Sequence, residues 1–194
     1  MNLEPLIQQR LHMSTRAIEC LHALSGQIGQ ACSLVVRTLE SGGTVFTCGN
    51  GGSAAEALHL AEELTGRFRG NRKALRAISL CADPTALTCI ANDFGFDHVF
   101  GRQLQALGRP GDLLVVFSTS GQSPNILRAL QVAKDLGIAT LALLGGEGGA
   151  ALALCAHSVV VHGVDSAAVQ EAHQIILHIV CEAVEERFAH TKTS

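Results

Sequence analysis

The stretch VFTCGNGGSAAEALHLAEELTGRF, Val45 to Phe68, passes from strand to turn to helix without an intervening linker. Its first residues form a short apolar run of the kind that builds a buried strand. Gly49-Asn50-Gly51-Gly52-Ser53 then makes a glycine-rich turn, and an amphipathic helix follows. Such a turn points free backbone N–H groups at whatever lies beyond the strand end, an arrangement suited to an anion. The helix carries His59 and Glu63 four residues apart, hence on one face. A phosphate cradle needs only the turn, so the second pair asks for chemistry as well.

Outward from this stretch the same grammar continues. Toward the N-terminus, Leu3, Leu6, Ile7, Leu11, Ile18, Leu21 and Leu24 recur at helical spacing, and Ile28, Ala31, Val35 and Leu39 extend the pattern. Two helices over residues 1–40 are expected, broken near Ser25–Gly26 and closed by Gly42–Gly43. Toward the C-terminus, strands are expected at Thr44–Cys48, Ala77–Leu80, Leu113–Phe117, Ile138–Leu144 and Ser158–Val161. Helices fall near 53–65, 84–107 (open to a break at Gly95), 124–136 and 150–155, with a last helix from about 169 to 188. Asp83-Pro84 and Ser123-Pro124 read as helix starts, a capping side chain followed by proline, and Gly137 as a helix end. Continuous apolar strands joined through helices imply a parallel sheet covered on both faces. The expected fold is therefore α/β, one doubly wound domain spanning 1–194. Its core over 44–188 is a central parallel sheet of about five strands flanked by helices, and residues 1–40 form a helical N-terminal extension.

Composition agrees with a well-cored protein. Of 194 residues, 47% are apolar and 16% charged, and Trp and Tyr are absent. A chain this long buries roughly 70% of its unfolded surface, and so thin a charged coat favours an oligomer that hides more. The net charge of −3 argues against a nucleic-acid or acidic-membrane binder. One basic run, Arg67, Arg69, Arg72, Lys73 and Arg76, reads either as a solvated loop or as a substrate-facing cluster. Seven scattered cysteines without a CxxC point to reduced thiols in a cytoplasmic protein. The amphipathic N-terminus is unlike a signal peptide, and no apolar run is long enough to span a membrane.

A second loop has matching chemistry. Strand 113–117 runs into STSGQSPN, where Ser118, Thr119, Ser120 and Ser123 offer four hydroxyls before another helix. Neither loop has the GxGxxG or GxxxxGK[ST] pattern of dinucleotide and nucleoside triphosphate sites. Donors of N–H and O–H type without lysine suit a sugar phosphate better. The last helix contributes VQEAHQIILHIV, with Gln170, Glu171, His173, Gln174 and His178 set in an apolar stripe. His173 reads as a core histidine. His and carboxylate groups drawn from two helices are ordinary donors to a divalent transition metal. Gln170 and His178 stand eight residues apart, about 12 Å along a helix, so they can hardly meet at one ion. Either the donor set is smaller, or part of it comes from another subunit, or Gln174 takes the local place.

Together CGNGGSAAEALHLAEELTGRF, IANDFGFDHVF, GDLLVVFSTSGQSPN and VQEAHQIILHIV resemble the phosphoheptose isomerases of the sugar-isomerase (SIS) domain superfamily, in the family's order and across nearly the whole chain. The resemblance implies a cytoplasmic homotetramer with active sites at subunit interfaces. It would interconvert sedoheptulose 7-phosphate and D-glycero-D-manno-heptose 7-phosphate, the first step toward heptose for lipopolysaccharide or capsule. It implies Glu63 as general base and His178 as general acid, and one Zn2+ per subunit held by His59, Glu63, Gln170 and His178. Substrate contacts would fall on Asn50, Gly51, Gly52, Glu63, Asn92, Asp93, Ser118, Thr119, Ser120, Ser123 and Gln170. The chain departs from the family at Ala168, where a basic residue is frequent, and at His162, where proline is common. The competing reading is a non-catalytic SIS tetramer that binds a replication-initiation protein; the presence of His59, Glu63 and His178 favours the enzyme. A sugar-phosphate-sensing regulator would be expected to carry a DNA-binding module, for which this length leaves no room.

Overall fold

The computed structural model describes residues 1–162 and 165–189. Two helices open the chain, α1 (Glu4–Ala23) and α2 (Ser25–Glu40). There follow β1 (Val45–Gly49), α3 (Gly52–Thr65), β2 (Ala77–Ser79), α4 (Pro84–Phe94) and α5 (Gly101–Leu107), with a 3-10 turn at Phe96–His98 between the last two. The remainder alternates as β3 (Leu113–Ser118), α6 (Pro124–Asp135), β4 (Ala139–Gly145), α7 (Ala151–Leu154), β5 (His157–Val161) and α8 (Ser166–Phe188). The five strands form one parallel sheet in the order β2-β1-β3-β4-β5. The doubly wound α/β expectation is met, with each expected strand present.

Side-chain alternation explains how the sheet serves two cores at once. Val45, Leu113, Val115, Phe117, Leu141, Leu143, Val159 and Val161 point to the face covered by α1, α2, α3 and α8. Their neighbours Phe46, Cys48, Leu114, Val116, Ala142 and Leu144 point to the opposite face, under α4, α5, α6 and α7. A strand with apolar residues on both sides reads as a continuous run, which is why these segments showed no polar alternation.

Local differences have local causes. The predicted helix over 84–107 divides at Gly95, whose φ of 88° ends α4 by a conformation that other residues avoid. The last helix starts three residues before the expected 169, at Ser166, because Asp165 caps it by accepting from the N–H of Ala168 at 2.9 Å. Asp83 caps α4 as expected, accepting from Thr85 and Ala86. Ser123 stands at the N-cap position of α6 but its hydroxyl makes no capping bond, contrary to expectation. Of the segment in which the chain departs from the family, Gly163 and Val164 lie outside the described residues, while Ala168 is buried.

Candidate active site

Strand order places the two candidate loops side by side. β1 is flanked by β2 and β3, and from β3 the sheet grows in the other direction. The crevice beyond the carboxyl ends of β1 and β3 is thus the point where ligands bind in open parallel sheets. The turn after β1 and the loop after β3 are tied there by a reciprocal amide pair. Asn50 Nδ2 donates to Asn125 Oδ1 and Asn125 Nδ2 donates back to Asn50 Oδ1, both at 2.9 Å. Asn125 is buried, so this pairing satisfies an amide with no access to water. Gly51, at φ 57°, turns the chain from strand to helix α3.

In the second loop Ser118 Oγ accepts from the Gly121 N–H at 3.1 Å and Ser120 Oγ accepts from the Gln122 N–H at 3.2 Å. A hydroxyl that accepts keeps its proton for donation. Ser123, having made no cap, keeps its hydroxyl as well. Thr119 is half-buried between them.

Behind the turn, α3 and α8 pack against each other and bring the reactive groups together. His59 Nε2 lies 3.1 Å from Glu63 Oε1, Gln174 Nε2 lies 2.7 Å from His59 Nδ1, and the same amide nitrogen lies 3.1 Å from His178 Nε2. The rings of His59 and His178 meet edge to face with centroids 5.4 Å apart. An amide NH2 has two hydrogens, so Gln174 donates to both imidazoles. His59 then carries its proton on Nε2, toward Glu63, and His178 carries its own on Nδ1. Glu63 Oε2 is buried and has no hydrogen-bond partner among the described residues. A carboxylate oxygen left so is costly unless a proton or a cation comes to it.

Gln170 stands elsewhere. A Cβ built on Gly52 would come within 2.5 Å of Gln170 Nε2, so this side chain lies over the glycine turn. With Glu56, His59 and Gln174 it lines a cavity of about 470 Å³ between the turn and the histidines. No hydrogen bond joins Gln170 to His59 or His178 among the described residues; Gln174 fills that position. The structure therefore gathers His59, Glu63, Gln174 and His178, with Gln170 at the turn end of the same cavity. Asn92 and Asp93 are exposed on α4, where Asn92 Nδ2 donates to Asp93 Oδ1 at 2.7 Å, and neither lines this cavity.

Two groups went unnoticed in the sequence. Glu62 is exposed, yet one of its oxygens lies within 4.8 Å of ligand atoms of His59 and Glu63, completing a trio able to hold a metal ion. Helical spacing hid it, since adjacent residues face different ways. Glu56 is buried against His173, with 3.9 Å between Oε1 and Nδ1. Burial pushes its carboxyl up to about 7, with the nearby Ser53 hydroxyl pulling partway back. His173 is the expected core histidine: its Nε2 lies 3.2 Å from the Leu144 carbonyl, and burial pushes it down to about 4. The Glu56 signal, an acid three residues before His59, was available and went unused.

The basic run resolves into separate roles. Arg72 is buried, whereas Arg69 stays exposed and pairs with Glu182 on α8 at 2.9 Å, so the run is not one uniform solvated loop. A cavity of about 490 Å³ at the amino ends of the strands runs beside Arg76 and Arg109. Its acid, Asp112, accepts from the N–H groups of Thr44 and Arg109, and among the described residues no acid–base pair lines it.

A parallel sheet with two hydroxyl- and glycine-rich loops at its switch point is the frame of an SIS domain, and the SIS domain family model matches residues 11–145. A phosphoheptose isomerase of Helicobacter pylori (strain P12) is 44% identical over 189 residues, covering 97% of this chain and 98% of the relative. Phosphoheptose isomerase 1 of Campylobacter jejuni is 44% identical over 183 residues, covering 94% and 98%. Among solved structures, the phosphoheptose isomerase from Neisseria gonorrhoeae superposes with a TM-score of 0.90 at 38% identity, covering 95% of this chain and all of that one. The chain belongs to the phosphoheptose isomerase family. It is an isomerase, which sets aside the non-catalytic reading, and among its described residues no helix is long and apolar enough to cross a membrane.

Proposed function

We propose that this enzyme, one SIS domain over residues 1–194, interconverts sedoheptulose 7-phosphate and D-glycero-D-manno-heptose 7-phosphate. The reaction moves a proton between adjacent carbons through an enediol. The observation that carries this reading is the chain of contacts Glu63–His59–Gln174–His178, whose two middle members line the cavity beside the glycine turn. The free oxygen of Glu63 takes the carbon-bound proton and returns it to the neighbouring carbon, while the His178 imidazole serves the substrate oxygens. Gln174, donating to His178 Nε2, fixes the ring in place between turnovers.

The phosphate sits at the loop after β3, on Ser118, Thr119, Ser120 and Ser123 and the first N–H groups of α6. Asn50, Gly51, Gly52 and Gln170 hold hydroxyls at the other side of the crevice. Asn92 and Asp93, remote from the cavity of their own chain, reach the substrate of a neighbouring subunit in a homotetramer. In support, Leu3, Leu6, Ile7, Leu11 and Ile18 leave an exposed apolar stripe along α1 for a second copy.

A reading of one Zn2+ per subunit is supported by one imidazole and two carboxylates whose ligand atoms lie within 4.8 Å of one another, His59, Glu62 and Glu63, with an unpartnered buried oxygen on Glu63; the second imidazole, His178, packs edge to face on His59. His59, Glu63 and His178 would hold it, with Gln174 or Gln170 as the amide donor. When bound, the ion supplies charge stabilisation for the oxygen that becomes negative. The enzyme works in the cytoplasm, supplying heptose for lipopolysaccharide or capsule.

The test is to incubate the purified protein with sedoheptulose 7-phosphate and follow the sugar by NMR, with and without a chelator, while measuring bound zinc. The aldose is expected to form, and chelation to slow its formation. No conversion by intact, zinc-loaded protein would remove this substrate assignment.

A further inference from the structure

Helix α3 ends at Thr65, two residues beyond Glu63, and its last carbonyls need partners. A single buried side chain supplies two of them, at Glu63 and at Leu64, whose carbonyl also accepts from the Leu75 N–H. Arg72 is 6% exposed. Its Nη2 donates to the Glu63 carbonyl at 2.5 Å, and its Nη1 to the carbonyls of Leu64 at 2.9 Å and Lys73 at 3.1 Å. A planar guanidinium fork spans adjacent carbonyls in a way an ammonium does not, and a cation at a helix C-terminus meets the negative end of its dipole. The Glu63 and Glu185 carboxylates face this cation, which keeps a charge inside the protein tolerable.

The loop that delivers Arg72 is itself stapled to α8. Glu185 Oε1 accepts from the N–H groups of Arg69 at 2.7 Å and Gly70 at 2.9 Å. Phe68 lies on the His178 ring with centroids 5.5 Å apart, and the Arg69 guanidinium covers the other ring, 4.6 Å from the Phe68 centroid. Residues 66–72 thus hold α3 and α8 at one spacing, and Arg72 is the point at which this strap grips the residue bearing the free carboxylate.

We propose that Arg72 is a positioning residue of the isomerase: by clamping the Glu63 and Leu64 carbonyls it holds the last turn of α3 so that the Glu63 side chain stays against the His59 imidazole, 3.1 Å from its Nε2. The inference rests on the reading of Glu63 as the base. Arg72 touches no substrate; it acts through Glu63.

A double-mutant cycle on turnover of sedoheptulose 7-phosphate tests this. Arg72→Met is expected to lower kcat by about 10²-fold, the cost of a displacement near 1 Å, and to leave KM within about threefold. Arg72→Lys is expected to recover part of the loss. In a Glu63→Gln background, Arg72→Met is expected to change the residual kcat by less than about twofold, because a group that acts only through Glu63 has nothing left to position. An equal loss in both backgrounds, or a kcat in Arg72→Met within twofold of wild type, would overturn the proposal. Should Arg72→Met not accumulate as folded protein, Arg72→Lys carries the same cycle: a loss in the wild-type background alone supports positioning, and equal losses refute it. Full activity in Glu63→Gln by itself would instead bring down the catalytic reading, whatever Arg72 does.

Discussion

Replacing Glu56 by Gln removes a carboxyl that burial holds at about 7, against an ordinary value of 4.5. The sign follows from which state binds more protons. Between these two values the folded chain keeps the proton and the unfolded chain releases it, so stability falls as pH rises. The contribution is fully present below about 4.5 and is lost as pH passes through 7. The difference between these two values corresponds to roughly 3 kcal/mol, and relaxation of the surroundings about the ionised group brings this to about 2 kcal/mol. Gln keeps the shape without the ionisation. Glu56→Gln and wild type should therefore differ by under about 1 kcal/mol at pH 5, and the variant should be more stable by about 2 kcal/mol at pH 8. For a chain of this length that is roughly 4–8 °C in Tm. Thermal unfolding of both proteins from pH 5 to 8.5 measures the difference. His173, pushed down to about 4, costs stability below about 6.5, and at pH 8 it is neutral in both proteins. A variant less stable than wild type at pH 8 would refute the reasoning. It would mean that Glu56 is ionised and paired, with a protonated His173 or a group of another subunit.

Three further outcomes follow from the same geometry. Glu63→Gln should lower turnover by about 10²–10⁴, and near-native kcat in the isomerase assay would remove Glu63 from the mechanism. Gln174→Ala should weaken zinc retention against a competing chelator at least about tenfold and more than Gln170→Ala does, since Gln174 alone touches both imidazoles; the reverse ranking would return the amide donor to Gln170. Asn125→Ala strands the Asn50 amide and should cost about 1–3 kcal/mol in denaturant unfolding while raising KM for the sugar phosphate; an unchanged midpoint would show that the clamp between the two loops contributes nothing.

The strands and the two loops were legible because their signals are local. An apolar run, a glycine turn and a cap each sit within a few residues, and parallel pairing then has few alternatives. Ser123 shows the limit of such signals. Its position before Pro124 reads as a cap, yet whether the hydroxyl closes on the backbone depends on loop geometry that a dipeptide does not encode. Arg72 shows another: from the sequence it was one cation among five, and only its burial under the end of α3 separates it from Arg67.

The amide beside the histidines failed to be legible for a reason that belongs to helix packing. Gln170, Gln174 and His178 follow each other at four-residue intervals and share one stripe of α8, so periodicity ranks them equally. Two crossing helices, however, touch over a short stretch, and what α3 presents there is His59 and Glu63. The stripe of α8 spans about 12 Å from Gln170 to His178, longer than one ion or one hydrogen bond can bridge. The residue in the middle therefore meets the histidine opposite, and the residue at the end meets what lies at the start of α3, two turns before His59, which is Gly52. The crossing point, not the identity of the side chain, decides which glutamine touches the imidazoles. The same argument explains Glu56: one turn along α3 from His59 toward Gly52, it falls under α8 beside His173, on the buried side of the crossing. The groups proposed for proton transfer and those that titrate in the core are thus successive contacts along one helix pair. A substitution that shifts α8 along its axis by one contact should disturb both together.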